Sequence, residues 1–195
     1  MEEIADLSAT KALLERFQLV RRRTIDICAP LQMEDYVPQP SEFVSPPKWH
    51  LGHSTWFFEQ FVLSPFCPDY KLFSADFAYV FNSYYNAIGD RVLRADRGNL
   101  TRPGVREVLE YRAYVDQQLT NFLLTEQPQN VLDTLELGLN HEEQHQELLW
   151  TDLKYILGNN PLFPTYKEGF SLVEDHNSTS GWLSIDEGLH HIGHS

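Results

Sequence analysis

Two histidines four residues apart carry the strongest chemical signal in the sequence. They are His141 and His145, within the run HEEQHQE at residues 141–147. If this run is helical, the spacing places both imidazoles on one face, close enough to bind one metal ion. A third nitrogen could come from His53, which lies far upstream. Three neutral imidazoles that leave coordination positions open are typical of a metal centre that carries out chemistry.

The same run also matches the H-E-x-x-H pattern of zinc metalloproteases, in which Glu142 would be the general base. The extended metzincin form of that pattern is not present. A di-iron carboxylate site would need a second Glu-x-x-His pair on another helix, and the other predicted helices supply none. The residues therefore favour a mononuclear three-histidine site over a peptidase or a di-iron site.

The metal-ligand candidates lie on two of four predicted helices. Apolar residues recur at helical spacing in four segments, which are bounded by prolines and glycine. Ser45 is the expected N-cap of the second segment, and Gly158 is expected to close the fourth. The four predicted helices span residues 8–28, 45–64, 101 to about 122, and 130–157. Their connections imply an antiparallel order, so we predict a mainly α fold built as a four-helix bundle over residues 1–160.

The helical period is lost after Pro161. Residues 161–195 gain glycines, and short alternating pieces such as 181–185 predict strands. We expect this segment to be a linker and the start of a second, α+β domain.

Charge and composition exclude several classes of partner. The net charge of −13 argues against binding to nucleic acid or to anionic membrane surfaces. No apolar run is long enough to span a bilayer, and the acidic N-terminus does not resemble a secretory signal. Two cysteines, Cys28 and Cys67, predict no disulfide framework and a reducing compartment. We therefore expect a cytoplasmic protein.

Four segments together resemble EgtB, the iron-dependent sulfoxide synthase of ergothioneine biosynthesis, and its relative OvoA. The segments are SPPKWHLGHSTWFFE at 45–59, FNSYY at 81–85, RGNLTRP at 97–103 and HEEQHQE at 141–147. The resemblance spans roughly residues 10–195 and joins an H-x-x-x-H-x-E motif to an upstream W-x-L-x-H motif. It implies a DinB-like four-helix bundle followed by a domain of the formylglycine-generating-enzyme type.

The resemblance also implies an activity and a ligand set. The family is an oxidoreductase that uses O₂ to join the sulfur of γ-glutamylcysteine or cysteine to the imidazole of hercynine, leaving a sulfoxide. Its non-haem Fe(II) would be held here by His53, His141 and His145. The second histidine of W-x-L-x-H is the family ligand, so His50 is not expected to bind the metal.

The resemblance assigns further residues to the substrates. Gln144 would help to hold the histidine-derived substrate. Arg94 and Arg97 would bind the γ-glutamyl carboxylate, since a guanidinium matches carboxylate geometry. Glu147 would orient a histidine, because a fourth protein ligand would fill a position that O₂ or substrate needs.

The family's catalytic tyrosine lies in its C-terminal domain and is expected beyond residue 195. The chain is therefore expected to be the metal-binding portion, completed by a C-terminal domain. Two alternatives remain open. One is a stand-alone DinB-like thiol transferase, a class that often uses zinc or nickel. The other is a non-catalytic helical binding domain with incidental histidines.

Overall fold

The computed structural model describes residues 6–83, 90–169 and 181–193. Within these ranges the fold is mainly helical and has no strand. The elements in chain order are α1 (Leu7–Cys28), a 3₁₀ turn (Met33–Tyr36), α2 (Pro47–Phe58), a π-helical turn (Glu59–Leu63), α3 (Ser64–Phe66), α4 (Phe77–Val80), a second 3₁₀ turn (Arg94–Asn99), α5 (Val105–Phe122) and α6 (Gln129–Gly158).

The four long predicted helices are confirmed as α1, α2, α5 and α6. The second predicted helix does not stay α-helical to its end, because a π-helical turn and α3 follow α2. The predicted N-cap is wrong: Pro46 precedes α2, and no side chain caps it. Tertiary partners take the polar groups of Ser45 instead. Its N–H donates to Asp152 Oδ2 at 2.9 Å and its hydroxyl accepts from Arg97 Nη1 at 2.8 Å.

Helix α2 forms the centre of the bundle, since all of its residues are buried. It packs against α5 and α6, while α1 packs against α6. This position explains why aromatic side chains such as Trp49, Trp56 and Phe58 occur all round α2 instead of along one stripe. Any histidine on α2 is consequently placed inside the bundle.

Glycine allows close contact at two places on or beside α2. A Cβ at Gly52 would overlap the ring of Phe81, and a Cβ at Gly138 would come within 2.6–3.0 Å of the rings of Phe57 and Phe58. Gly138 therefore lets α6 approach α2 closely. Gly52 lets Phe81 pack against the helix at the turn that carries His53.

Helix α6 presents a continuous buried stripe to the core. Its members are Leu132, Leu135, Leu139, Glu142, Gln146, Leu149 and Leu153. Two members of this stripe are polar, and residues of α1 form hydrogen bonds with both. Gln146 donates to the carbonyl of Val20 at 2.9 Å, and Thr24 donates to Glu142 at 2.6 Å.

Glu142 also binds two buried arginines, one on α1 and one on α5. Arg21 Nη1 lies 2.9 Å from Glu142 Oε2, and Arg112 Nη2 lies 2.5 Å from Oε1. Burial alone would raise the pKa of Glu142, but Arg112 and Arg21 outweigh it and lower that pKa to about 2. We call these three residues the buried charge cluster. It links α1, α5 and α6 and fixes the rotation of α6 about its axis.

Residues 181–193 have no regular helix or strand. The strand predicted at 181–185 is therefore wrong for the described structure. Trp182 and Leu183 in this segment are exposed, and a strand needs a paired neighbour to form. The domain boundary predicted near residue 160 stays a prediction. None of the described helices has both the length and the apolar character of a bilayer span.

Candidate metal centre

Three histidine side chains from two helices meet inside the bundle. His53 lies on α2, and His141 and His145 lie on consecutive turns of α6. One ring nitrogen of each lies within 4.8 Å of the others, so the group could hold one metal ion. The ring centroids are 4.6–4.9 Å apart. The structure thus brings together the three residues that the sequence and the resemblance single out.

The ring of His53 is oriented by a backbone carbonyl and by two indoles. Its Nδ1 lies 2.6 Å from the carbonyl oxygen of Phe81. Because a carbonyl only accepts, Nδ1 carries the hydrogen, and Nε2 keeps its lone pair. Trp49 and Trp56 stack on the same ring at 4.4 Å and 5.4 Å between centroids. His53 is therefore held in a form suited to binding a metal through Nε2.

The ring of His145 is held by a chain of two further residues. Its Nδ1 lies 2.9 Å from Nδ1 of His50, and Nε2 of His50 lies 2.9 Å from Oδ2 of Asp152. Both His50 and Asp152 are buried. We call this arrangement the Asp152–His50–His145 chain.

Sequence reasoning excluded His50 as a ligand and gave Asp152 no role. A signal was nevertheless present. His50 lies three residues before His53, and Asp152 lies seven residues after His145, so each shares a helix face with a ligand candidate.

His141 supplies the clearest indication that the site fits a metal ion. Its Nδ1 is buried and has no hydrogen-bond partner among the described residues. An unpaired polar atom in a protein interior is uncommon and calls for a further bonding partner. An all-imidazole donor set suits Fe(II) or Zn²⁺, so the residues present fit such an ion.

The electrostatics of the site keep the imidazoles neutral. Burial lowers the pKa of His141 to about 4. Burial, together with the neighbouring histidines, lowers the pKa of His53 and of His145 well below the usual value. Burial also lowers the pKa of His50, against the opposing effect of Asp152. Neutral imidazole is the form that binds metals, so no proton has to be displaced from the ligands at pH 7.

The triad lies on a cavity of about 290 Å³. The cavity is lined by Ser45, Trp49, His50, His53, Ser83, Arg94, Arg97, His141, Gln144, His145, Leu148 and Asp152. The three residues assigned to substrates by the resemblance, Arg94, Arg97 and Gln144, are among them. Their roles in binding substrate stay predictions, but the structure places all three beside the triad.

The two arginines of the cavity differ in how firmly they are held. Arg97 is buried, and its guanidinium carbon lies 3.3 Å from the centre of the Trp49 ring. It donates to the hydroxyls of Ser45 and Ser83 at 2.8 Å and 3.1 Å. Arg94 is exposed and donates to the carbonyl of Phe43. Arg97 is thus a fixed positive charge, whereas Arg94 lies at the surface.

Two glutamates of the run at 141–147 lie away from the cavity. Glu147 is exposed, and its carboxylate has no hydrogen bond to a described residue, so its orienting role stays a prediction. Glu142 lies in the buried charge cluster instead of the cavity lining. The glutamate that the H-E-x-x-H pattern assigns as general base is consequently not among the described residues that line the cavity. Tyr84 and Tyr85 of the resemblance lie outside the described residues.

Comparison with known proteins gives a family for most of the chain. A model described as "DinB superfamily" matches residues 16–149, a stretch that includes all three histidines of the triad. No curated protein matches the chain.

Proposed function

The chain belongs to the DinB superfamily, and we propose that it is the metal-binding domain of an EgtB-like sulfoxide synthase. The observation that carries this proposal is one cavity shared by three predicted metal ligands and three predicted substrate residues. The six residues are His53, His141, His145, Arg94, Arg97 and Gln144. The proposed metal is Fe(II), held by the three histidines.

The proposed reaction joins the thiol sulfur of γ-glutamylcysteine or cysteine to an imidazole carbon of hercynine. The thiol loses its S–H hydrogen, and the imidazole carbon loses its C–H hydrogen. One oxygen atom of O₂ enters the sulfoxide, and the other leaves as water. The four electrons that O₂ accepts come from forming the C–S bond and from oxidising the sulfur. Bound Fe(II) would supply the redox chemistry that O₂ activation needs.

The donor set favours a thiol as one substrate. The three imidazoles are neutral, and the triad includes no carboxylate, so a divalent ion held there keeps its full positive charge. Such a charge favours the deprotonated, anionic form of a neighbouring thiol. This argument supports a thiol substrate equally for iron and for zinc.

The cavity side chains would bind the remaining parts of the substrates. Arg97 is held by Trp49 and by two serine hydroxyls before any substrate arrives, so little side-chain freedom is lost when it binds a carboxylate. Arg94 lines the same cavity and would assist Arg97 there. The amide of Gln144 offers both a donor and an acceptor to an imidazole.

The proposal includes a second domain that begins in the segment after residue 160. Its support is the exposure of large apolar side chains at residues 181–193. Trp182, Leu189 and Ile192 are almost fully exposed. The exposure of several large apolar side chains within one short segment is typical of a surface that other protein covers.

The test is metal analysis followed by an oxygen-consumption assay. Protein purified without oxygen should contain about one iron per chain, and His141→Ala should lose it. His190→Ala is the matched control, since His190 is exposed and its one hydrogen bond to a described residue is to the carbonyl of Asp186. With hercynine and a thiol, the full-length enzyme should consume O₂. The product mass should equal the two substrates plus one oxygen minus two hydrogens. Iron binding with no product from any thiol tested would refute the synthase proposal.

A second candidate is a stand-alone metal-dependent thiol transferase. It is favoured by the all-imidazole, uncharged donor set, which suits Zn²⁺ as well as Fe(II). Thiol consumption that needs zinc but no O₂ would support this reading over the first. The absence of any stoichiometric metal would favour a non-catalytic binding domain over both.

A further inference from the structure

We propose that Asp152 and His50 are positioning residues that hold the hydrogen of His145 on Nδ1, so that Nε2 faces the metal with its lone pair free. This inference rests on the metal centre of the proposed function. It does not depend on which metal binds or which reaction follows.

The direction of the hydrogen bonds follows from the groups at the Asp152 end of the Asp152–His50–His145 chain. Oδ2 of Asp152 accepts the N–H of Ser45 at 2.9 Å, so this oxygen acts as an acceptor. The same oxygen lies 2.9 Å from Nε2 of His50, which therefore donates. A neutral imidazole carries one hydrogen, so Nδ1 of His50 must accept. Among the described residues, the donor at 2.9 Å is Nδ1 of His145, which leaves Nε2 of His145 unprotonated.

The positive charges on the cavity favour the same direction. Reversing the bond between the rings would need a second hydrogen on His50, and His50 would then be a buried cation. Arg97 and Arg94 line the same cavity and would repel it. Asp152 is the only carboxylate among the described lining residues, and it already accepts from Ser45.

Two of the candidate metal ligands, His53 and His145, have a hydrogen-bond partner on Nδ1, and the partner differs between them. His53 donates to a backbone carbonyl, whereas His145 donates to a second imidazole that is backed by a carboxylate. A carboxylate behind an imidazole increases its strength as a donor to the metal. We therefore expect His145 to be the ligand most sensitive to changes outside the metal's own ligand shell.

The first test reads the tautomer directly in the wild-type protein, and a variant is needed only to assign the signals. Long-range ¹H–¹⁵N spectra of the metal-free protein distinguish a histidine protonated on Nδ1 from one protonated on Nε2. The His145 signals are assigned by their loss in His145→Gln. The expected result is a hydrogen on Nδ1 of His145. A hydrogen on Nε2 in the wild-type protein would overturn the inference.

The second test measures affinity for Co²⁺ by its visible absorption. His50→Leu should weaken binding by about 10–100-fold, the usual effect of removing a partner of a metal ligand. His50→Gln should restore most of the affinity, because one amide can accept from His145 and donate to Asp152. A purely structural role for His50 would not predict this rescue together with a retained Nδ1 hydrogen.

Asp152→Asn tests the carboxylate, since it keeps the shape of the side chain and removes the charge. We expect about tenfold weaker binding of Co²⁺. Asp133→Asn is the matched control, because Asp133 is exposed on the same helix and bonds to Gln129. His190→Leu is the control for the histidine change.

The outcomes separate this inference from the function it rests on. Wild-type affinity in both His50→Leu and Asp152→Asn would overturn the inference and leave the metal centre intact. No binding of Co²⁺ by the wild-type protein would overturn both. If His50→Leu does not fold, Asp152→Asn and the wild-type tautomer still decide the matter.

Discussion

A buried thiol shows how this bundle changes the chemistry of a single residue. Cys28 is 1% exposed at the end of α1, and burial raises its pKa from 9.0 to about 12. The hydroxyl of Tyr36 donates to the carbonyl of the same cysteine at 3.0 Å. Burial raises the pKa of Tyr36 as well, from 10.0 to about 12.

The raised pKa values of Cys28 and Tyr36 predict that the folded protein loses stability at alkaline pH. Both pKa values are raised by folding, so their stabilisation is complete below about pH 9 and is lost as the pH rises towards 12. Each group should contribute a slope of about 1.4 kcal/mol per pH unit between its unfolded and folded pKa values. Urea unfolding followed by circular dichroism from pH 8 to 11 measures the slope. Cys28→Ala should flatten it, and Cys67→Ala is the control. An unchanged slope in Cys28→Ala would contradict the prediction.

At the residue scale, local spacing predicted part of the site. The pair His141 and His145 follows from the helical period alone, because both residues lie on one helix. His53 was predicted as a third donor from the sequence, but only the resemblance separated it from His50, which lies one helical turn away. The contact between His50 and Asp152 joins residues 102 positions apart, and no local pattern encodes such a contact.

At the scale of helices, we expect the buried charge cluster to contribute strongly to the free energy of unfolding. Glu142→Ala would leave Arg21 and Arg112 buried without their shared partner. We expect it to lower the free energy of unfolding by about 3–5 kcal/mol. Chemical denaturation of the metal-free protein measures this.

The adjacent residue provides the matched control for Glu142. Glu143 pairs with Arg16 at 2.8 Å, and both side chains are more than a third exposed. Glu143→Ala should cost below about 1 kcal/mol. Equal losses in the two variants would show that the cluster does not stabilise the bundle more than a surface ion pair does.

The two glycines at the close contacts of α2, Gly52 on α2 itself and Gly138 on α6, give a second prediction at this scale. Gly52→Ala and Gly138→Ala both force a methyl group into aromatic rings, and each should cost about 1–3 kcal/mol. Gly52→Ala should also weaken metal binding, because it displaces Phe81, whose carbonyl orients His53. Co²⁺ titration of both variants checks this. The same affinity in Gly52→Ala and Gly138→Ala would contradict a separate role for Gly52.

The sequence predicted the helices better than it predicted what each helix face contacts. Four segments were recognised because proline and glycine bound clear helical periods. The role of Glu142 was not recognised, although it falls within an apolar stripe between Leu139 and Leu149. A charged residue at such a position predicts a buried partner, but the identity of Arg21 and Arg112 depends on tertiary packing. The strand predicted at 181–185 failed because alternation alone supplies no partner strand.

At the scale of the whole molecule, metal binding should be coupled to stability. The triad joins α2 to α6, so a metal that binds only the folded chain stabilises it. At about a hundred times its Kd, the metal should add about 2.7 kcal/mol, which raises the Tm by about 5–10 °C for a protein of this size. His141→Ala should abolish the rise, and His190→Ala should keep it. Thermal unfolding with and without Zn²⁺ measures both. An equal rise in His141→Ala would place the bound metal elsewhere.

Helix α6 makes essential contacts on two of its faces, and this limits where residues can be inserted or deleted. One face holds Glu142 and Gln146 against α1, while another carries His141, His145 and Asp152. Adding or deleting a single residue between 142 and 152 would turn everything beyond it by about 100°. No repacking of side chains could then satisfy both faces at once. We expect insertions and deletions among related chains to fall in the connections and to be missing from this stretch of α6.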